Sequence, residues 1–216
     1  MTTPTGNRLE AELHRVFGNP PVAPRAVMRV QVASGIDLQA GRDEADRFVD
    51  AGADLVVLDS DHVGPFVLAA LALLLDLEPV AVVGTASAPD WQANVLATRS
   101  ALNAIRPLVA SPDRLLDTLG DPVLARLTGL LERLAQRRTP VLLGGGTATA
   151  AAALLATRLH PSAQQWWLAG SRPAHPAATS ALQTLGLSPL LDLGVPTGGA
   201  DLAVALVRTA LDLAGA

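Results

Sequence analysis

Two carboxylates and an imidazole lie within four consecutive positions of the sequence. Asp59, Asp61 and His62 directly follow the apolar run 55–58. Residues of these types can exchange protons with a substrate or hold a metal ion. The alternative is that an aspartate caps the next helix and that His62 lies at its rim. We predict Asp59, Asp61 and His62 as candidate catalytic residues, and no metal site, because adjacent residues in a turn rarely converge on one ion.

A run of three glycines forms the second candidate segment. Gly144, Gly145 and Gly146 precede Thr147 and a stretch of small residues. Glycines let a ligand approach the backbone, and a following helix offers free N–H groups to a phosphate. The segment matches neither a P-loop nor a dinucleotide-binding fingerprint, because Thr149 stands at that fingerprint's last glycine. A tight turn with close helix packing explains the glycines at least as well, and both interpretations stay open.

Two further segments carry groups that suit an anionic ligand. Arg172 can neutralise a phosphate or carboxylate, and His175 can act as an acid or base near neutral pH. Gly198 and Gly199 precede the last predicted helix and can present backbone N–H groups. The alternative for the arginine and the histidine is that both are simply solvated.

These four segments must be positioned by an alternation of apolar strands and helices. We predict strands at 27–32, 54–59, 80–84, 140–143, 166–169 and, as a strand or an extended segment, 190–193; we predict helices at 8–17, 37–50, 63–75, 89–109, 121–138, 147–159, 176–185 and 201–213. The alternation predicts an α/β fold, a three-layer, mostly parallel Rossmann-like sheet with helices on both faces. Residues 1–24 are predicted as an N-terminal helix and turn, and 25–216 as a single α/β domain. Ligands of such folds bind beyond the carboxyl ends of the strands.

Composition restricts the classes of function. The chain has 216 residues, half of them hydrophobic, with no cysteine and a net charge of −4. It therefore has no disulfides and no thiolate nucleophile, and no apolar run reaches the roughly 18–20 residues that span a bilayer. We expect a cytoplasmic protein with no membrane partner. We also expect no nucleic-acid partner, since lysine is absent and the arginines at 133, 137 and 138 are interpreted as complementing a helix dipole.

Three stretches resemble one enzyme family. Residues 52–71, beginning Gly-Ala-Asp-Leu, are similar to the segment GAD-apolar-G-E-M-G-I-G-N-T-T of the nicotinate-nucleotide–dimethylbenzimidazole phosphoribosyltransferase family. Residues 138–154 resemble its R-x-P-V-apolar-apolar-D-G-F-x-x-T-A-A-A-L, and residues 181–194 resemble its A-L-x-x-L-G-L-x-P-L-L-D-L-x. The order and spacing match from about residue 38 onward. The chain is thus identified as a truncated, divergent member of that family.

The departures from the family pattern concern its glutamates. In the G-E-M-G-I-G-N-T-T loop, Gly64 is retained but the glutamate falls on Ser60. In the S-x-E-P-G-H turn, His175 replaces the glutamate. In the final L-G-E-G-[ST]-G loop, which aligns with 197–201, a glycine stands where the family's catalytic base is expected. The resemblance thus implies impaired or altered catalysis, with Asp59, Asp61 or Asp201 as substitutes for the missing base.

The resemblance also implies the ligands. The family transfers phosphoribose from nicotinate mononucleotide to a benzimidazole-type base, making the lower ligand of cobalamin, and no cofactor is implied. One hypothesis is a divergent enzyme; a second is a non-catalytic homologue that binds nucleotide or base, or a regulatory or structural subunit of a full-length paralogue. A third is an unrelated small-molecule enzyme on the same fold. We expect a dimer, either a homodimer or a heterodimer with a paralogue, because full-length relatives pair and the polar surface is thin.

Overall fold

A computed structural model describes residues 5–18, 24–30, 37–84, 88–193 and 199–214. Four strands form one sheet in this part of the chain: β1 (Val27–Arg29), β2 (Leu55–Leu58), β3 (Val141–Leu143) and β4 (Trp167–Ala169). Their order across the sheet is β1-β2-β3-β4, and every pair is parallel. All four carboxyl ends therefore lie at one edge of the sheet, and all four amino ends lie at the opposite edge.

Helices occupy most of the remaining described residues. They are α1 (Thr5–Phe17), α2 (Leu38–Asp50), α3 (Pro65–Leu75), α4 (Pro79–Val83), α5 (Ala88–Ile105), α6 (Pro112–Leu119), α7 (Pro122–Gln136), α8 (Thr147–Leu159), α9 (Pro176–Thr184) and α10 (Gly199–Ala214). Their starts follow from local chemistry. Asp37 and Asp121 accept hydrogen bonds from backbone N–H groups in the first turns of α2 and α7. Prolines open α3, α4, α6, α7 and α9, where a missing N–H costs nothing.

The two faces of the sheet bury separate apolar clusters. Val56 and Leu58 of β2 point into the larger cluster, which contains residues of α3, α7, α8 and α9. Leu55 and Val57, the alternate residues of the same strand, point into the smaller cluster with α1 and α10. Helices thus cover both faces, which confirms the predicted three-layer architecture. The division at residue 24 stays a prediction, although α1 contributes to the smaller cluster.

Two of the predicted strands are not strands of the sheet. The strand predicted at 80–84 is wrong, because Pro79–Val83 forms the short helix α4, whereas 190–193 was predicted as a strand or an extended segment. A five-residue apolar run does not distinguish a strand from a buried helix, and Pro79 favours a helix start. Residues 190–193 form an extended segment with a single bridge, Ser171 to Leu191. The sheet of the described residues therefore has four strands instead of about six.

The packing of α2 against α7 was not evident from the sequence. A Cβ on Gly41 would lie 2.0 Å from the carbonyl oxygen of Arg126, and one on Gly129 would lie 2.0 Å from that of Leu38, so the two helices touch through their backbones. Across this contact, Arg133 and Arg137 form ion pairs with α2 carboxylates. These arginines, interpreted above as dipole partners, join two helices. Within the described residues, no helix combines the length and apolar character needed to cross a membrane.

Candidate functional site

The loops at the carboxyl edge of the sheet are joined by short hydrogen bonds. The N–H of Gly144, after β3, donates to the carbonyl oxygen of Leu58 at 2.8 Å, and the N–H of Gly170, after β4, donates to that of Leu143 at 2.7 Å. The buried Ser171 hydroxyl donates to the carbonyl oxygen of Gly144 at 2.8 Å. The loops after β2, β3 and β4 therefore form one connected surface.

The glycine run packs closely against the loop that follows β2. A Cβ on Gly144 would lie 2.4 Å from the carboxyl carbon of Asp59, and one on Gly146 would lie 2.1 Å from the carbonyl oxygen of Ser60. Gly145 has a φ of +116°, a region that L side chains rarely adopt. These contacts give the glycines a role within the chain, in line with the packing interpretation. Thr147 is buried as the first residue of α8.

Asp59 lies at the N-terminus of α8, the position where the glycine run would present N–H groups to a phosphate. The backbone N–H of Gly146, the residue that precedes α8, lies near the Asp59 carboxylate and favours its ionised form. Burial, then the charge of Asp61 and more weakly that of Asp201, outweigh this influence and raise the pKa of Asp59 to about 6. A carboxylate of that pKa is mainly ionised at neutral pH and is well matched to accept a proton.

Asp61 and Asp201 complete an acidic cluster around Asp59. Partial loss of solvent around the Asp61 carboxyl group raises its pKa. Asp201, in the first turn of α10, forms an ion pair of 2.5 Å with Arg29, the last residue of β1. The structure thus brings together the carboxylates that follow β2 and open α10.

His62 is directed away from this cluster. Its Nε2 lies 3.1 Å from a carboxylate oxygen of Asp121, whose other oxygen accepts the N–H of Leu124 and caps α7. The alternative that Asp59 or Asp61 caps the following helix is wrong, because Gly64 precedes α3 and no side chain caps it. A Cβ on Gly64 would lie 3.8 Å from the His62 ring, so these two candidates are neighbours.

The two candidates after β4 differ in their surroundings. Arg172 is exposed and its guanidinium group forms an ion pair with Asp192, so its charge is already balanced within the chain. His175 precedes α9, and burial lowers its pKa, which keeps the ring neutral. Its Nδ1 is buried and has no hydrogen-bond partner among the described residues, and its Nε2 lies 3.8 Å from the position of a Cβ on Gly84.

Some residues of this edge were not predicted. Arg29 was missed because β1 was extended to residue 32, whereas the described strand ends at Arg29. Thr149, noted only as a departure from a fingerprint, accepts the N–H of the buried Ser60 through Oγ1 at 2.9 Å. No local signal marks Asp121 as the partner of His62, since 59 positions separate them.

Gly198 and Gly199 are the remaining predicted ligand-binding residues. Gly198 lies outside the described residues, and Gly199 is the first residue of α10. In the part of the chain that the structure describes, no three histidine, aspartate or glutamate side chains are grouped as metal ligands.

Comparison with known proteins gives consistent matches. A family model described as phosphoribosyltransferase matches residues 23–216. The nicotinate-nucleotide–dimethylbenzimidazole phosphoribosyltransferase of Mycobacterium tuberculosis is 42% identical over 182 residues, which are 81% of this chain and 50% of the relative. That of Corynebacterium efficiens is 40% identical over 184 residues, 82% of this chain and 50% of the relative. This chain thus spans about half the length of the curated relatives it matches.

A solved structure gives the same result. The crystal structure of the corresponding enzyme from Thermus thermophilus is 32% identical and superposes with a TM-score of 0.72, over 82% of this chain and 54% of that one. The sequence resemblance and the α/β architecture are therefore both confirmed.

Proposed function

We propose that this chain, which belongs to the nicotinate-nucleotide–dimethylbenzimidazole phosphoribosyltransferase family, binds a phosphoribosyl ligand and a benzimidazole-type base at the carboxyl edge of its sheet. The relatives carry the name of that reaction, and ligands of open parallel sheets bind beyond the strand ends. Nicotinate mononucleotide is the proposed donor, and dimethylbenzimidazole is the proposed acceptor.

The raised pKa of Asp59 is the observation that carries a catalytic role. In the proposed reaction a ring nitrogen of the base attacks C1′ of the ribose, and the bond from C1′ to nicotinate breaks with the electron pair leaving on nicotinate. The other ring nitrogen of the base loses its proton. A carboxylate with a pKa of about 6 can accept that proton at neutral pH. Asp59 is thus the proposed general base, in place of the family's missing glutamate.

The remaining candidates have supporting roles in this proposal. Asp61 raises the pKa of Asp59 through its charge. The unpartnered Nδ1 of the neutral His175 is proposed as a hydrogen-bonding group for the base. The ribose phosphate is proposed to bind near the backbone of Gly64, Gly144–Gly146, Thr147 and Gly198–Gly199. Arg172 is proposed to release its ion pair with Asp192 and to bind the phosphate instead.

A non-catalytic homologue is the second candidate, and the internal pairing of this edge favours it. Asp59 occupies the N-terminus of α8, His62 pairs with Asp121, and Arg172 pairs with Asp192. Groups that are paired within the chain are less available to a substrate. In this candidate the chain binds nucleotide or base, as a homodimer or with a full-length paralogue, and turnover is absent.

The test combines binding with product detection. Calorimetry with nicotinate mononucleotide and dimethylbenzimidazole measures binding, and mass spectrometry of the mixture detects the ribosylated base. Asp59→Asn should lower the rate by roughly a hundredfold or more. Asp212→Asn, at the far end of α10 from Asp201, is the matched control and should leave the rate unchanged. Saturable binding without product supports the second candidate, and no binding of either ligand rejects both.

The assembly is tested separately. Leu202 and Leu213 of α10 have more than half of their surface exposed, at 57% and 75%. Exposed apolar side chains of this size favour an interface. Sedimentation of the chain alone, and then with a full-length paralogue, distinguishes a homodimer from a heterodimer.

A further inference from the structure

A cavity of about 590 Å³ opens at the amino edge of the sheet, the edge opposite Asp59. Residues that precede the strands form much of its wall: Arg25 before β1, Asp54 before β2, Pro140 before β3 and Trp166 before β4. Its volume lies within the range of about 300–1,000 Å³ that is usual for small-molecule sites. The proposed function does not use this cavity.

The cavity is lined by more positive than negative charge, although the whole chain has a net charge of −4. Arg15 donates to the carbonyl oxygen of Trp167 and pairs with Glu12, so it is held in place. Asp54, the carboxylate of the wall, accepts the backbone N–H groups of Arg25 and Ala26. The Asp54 carboxylate thus faces the backbone that precedes β1.

Arg25 and Arg138 are the two arginines of the wall whose side chains form no ion pair with another described residue. Among the residues that the structure describes, neither Arg25 nor Arg138 forms an ion pair or a side-chain hydrogen bond, and both are exposed. Arg137, the neighbour of Arg138, instead points to α2 and pairs with Asp46 and Asp50. Adjacent arginines therefore face different surroundings.

The backbone of Arg138 supplies a second, independent observation. Its φ of +57° lies in the left-handed region, which arginine rarely adopts. Its N–H donates to the carbonyl oxygen of Ala135, and the N–H of Thr139 donates to that of Leu134. This pair of bonds is the Schellman motif at the end of α7, whose left-handed position is usually glycine. Gly120, with a φ of +63°, shows the usual choice at the end of α6. An arginine at this position costs stability, yet it places a charged residue at the wall of the cavity.

We propose that the cavity binds a small phosphate ester that carries a flat ring. The phosphate lies between the guanidinium groups of Arg25 and Arg138, which suit phosphate because they donate paired hydrogen bonds. The ring lies against the indole of Trp166. Asp54 of the wall and Asp59 are five residues apart along β2, roughly 16 Å at about 3.3 Å per residue. The proposal therefore stands or fails independently of the proposed function.

Adenosine monophosphate is the probe, and calorimetry on the full chain is the first measurement. Arg138→Gln should weaken its binding about tenfold or more, because a charged hydrogen-bond partner of the phosphate is lost. Arg137→Gln makes the same chemical change one residue earlier and should alter the affinity less than twofold. Equal effects of the two variants, or no saturable binding by the unaltered chain, would overturn the proposal.

Two further variants separate a ligand role from a structural one. Quenching of tryptophan fluorescence by the probe should disappear in Trp166→Phe, and adenosine without the phosphate should bind at least tenfold more weakly. Arg138→Gly should lose probe binding while its melting temperature stays equal or rises, since glycine suits the left-handed position. A lower melting temperature with unchanged binding, or a probe that binds the carboxyl edge and leaves Trp166 unquenched, would contradict the site.

Discussion

At the carboxyl edge of the sheet the loops bring carboxylates together and close tightly on one another, whereas at the amino edge they surround an open cavity with guanidinium groups. Asp59 contacts Gly144 and the N–H of Gly146 across the first edge. Arg25 and Arg138 face solvent at the second. Both edges are built by the same four parallel strands, so the strands place the loops, and the loop residues decide the charge and the space available.

A tightly closed edge and an open edge suit different tasks. Burial among neighbouring backbone raises the pKa of Asp59 to about 6, which is useful for proton transfer. At the open cavity Arg25 and Arg138 are exposed to solvent, which is useful for capturing an anion.

Gly146→Ala should be the most destabilising change. Its Cβ would lie 2.1 Å from the carbonyl oxygen of Ser60, and backbone cannot move away as a side-chain end can. We expect a loss of about 3 kcal/mol in the free energy of unfolding, measured by urea denaturation. Gly64→Ala is the matched control, because Gly64 also precedes a helix but its Cβ would have nothing closer than 3.8 Å. Equal losses for both variants would show that the carboxyl edge is not tightly closed.

Asp59→Asn should stabilise the protein at neutral pH. A carboxyl group with a folded pKa of about 6 and an unfolded pKa near 3.8 binds more protons when folded, so its contribution to stability falls as pH rises from about 4 to 6. The variant lacks this titration, so its free energy of unfolding should exceed that of the parent by about 2 kcal/mol at pH 7 and should equal it below pH 4. Urea denaturation at several pH values measures the difference between variant and parent. A constant difference across this pH range would contradict the raised pKa.

Two aspartates that accept backbone N–H groups, Asp121 and Asp54, allow a direct comparison of the two edges. Asp121 is buried and holds both the N–H of Leu124 and the ring of His62, whereas Asp54 is exposed and accepts two backbone N–H groups at the amino edge. Asp121→Ala should cost about 2 kcal/mol, and Asp54→Ala should cost about 1 kcal/mol or less. Thermal denaturation of the two variants ranks them. The reverse order would mean that the amino edge is the more constrained one.

Asp61→Asn should give the smallest effect. The charge of Asp61 is the second cause of the raised pKa of Asp59, after burial. Its removal should shift the Asp59 titration to lower pH while leaving it above the ordinary aspartate range. Carbon-13 NMR of the carboxyl groups, with Asp59→Asn to assign the signal, follows this shift. A return of Asp59 to an ordinary pKa would show that charge, and not burial, dominates this edge.

Much of the fold was predictable because its signals are local. The helix over Thr147–Leu159 has the bounds that its small apolar residues predicted, and Asp37 and Asp121 mark the starts of α2 and α7 as capping residues do. The short run at Val80–Gly84 was misread because its length and composition fit either a strand or a buried helix. The helix α6 was missed, although Pro112 and Gly120 bound it.

The alternation of strands and helices, the family, and the placement of Asp59, Asp61 and the glycine run after neighbouring strands of the sheet were all predictable from the sequence. These depend on residue type and spacing along the chain. Only the tertiary structure decided that Asp59 lies at the N-terminus of α8, that His62 turns to Asp121, and that Arg138 faces a cavity beside Arg25. Those outcomes depend on contacts between residues 59 to 113 positions apart, and burial, which sets the pKa of Asp59, exists only after the chain has packed.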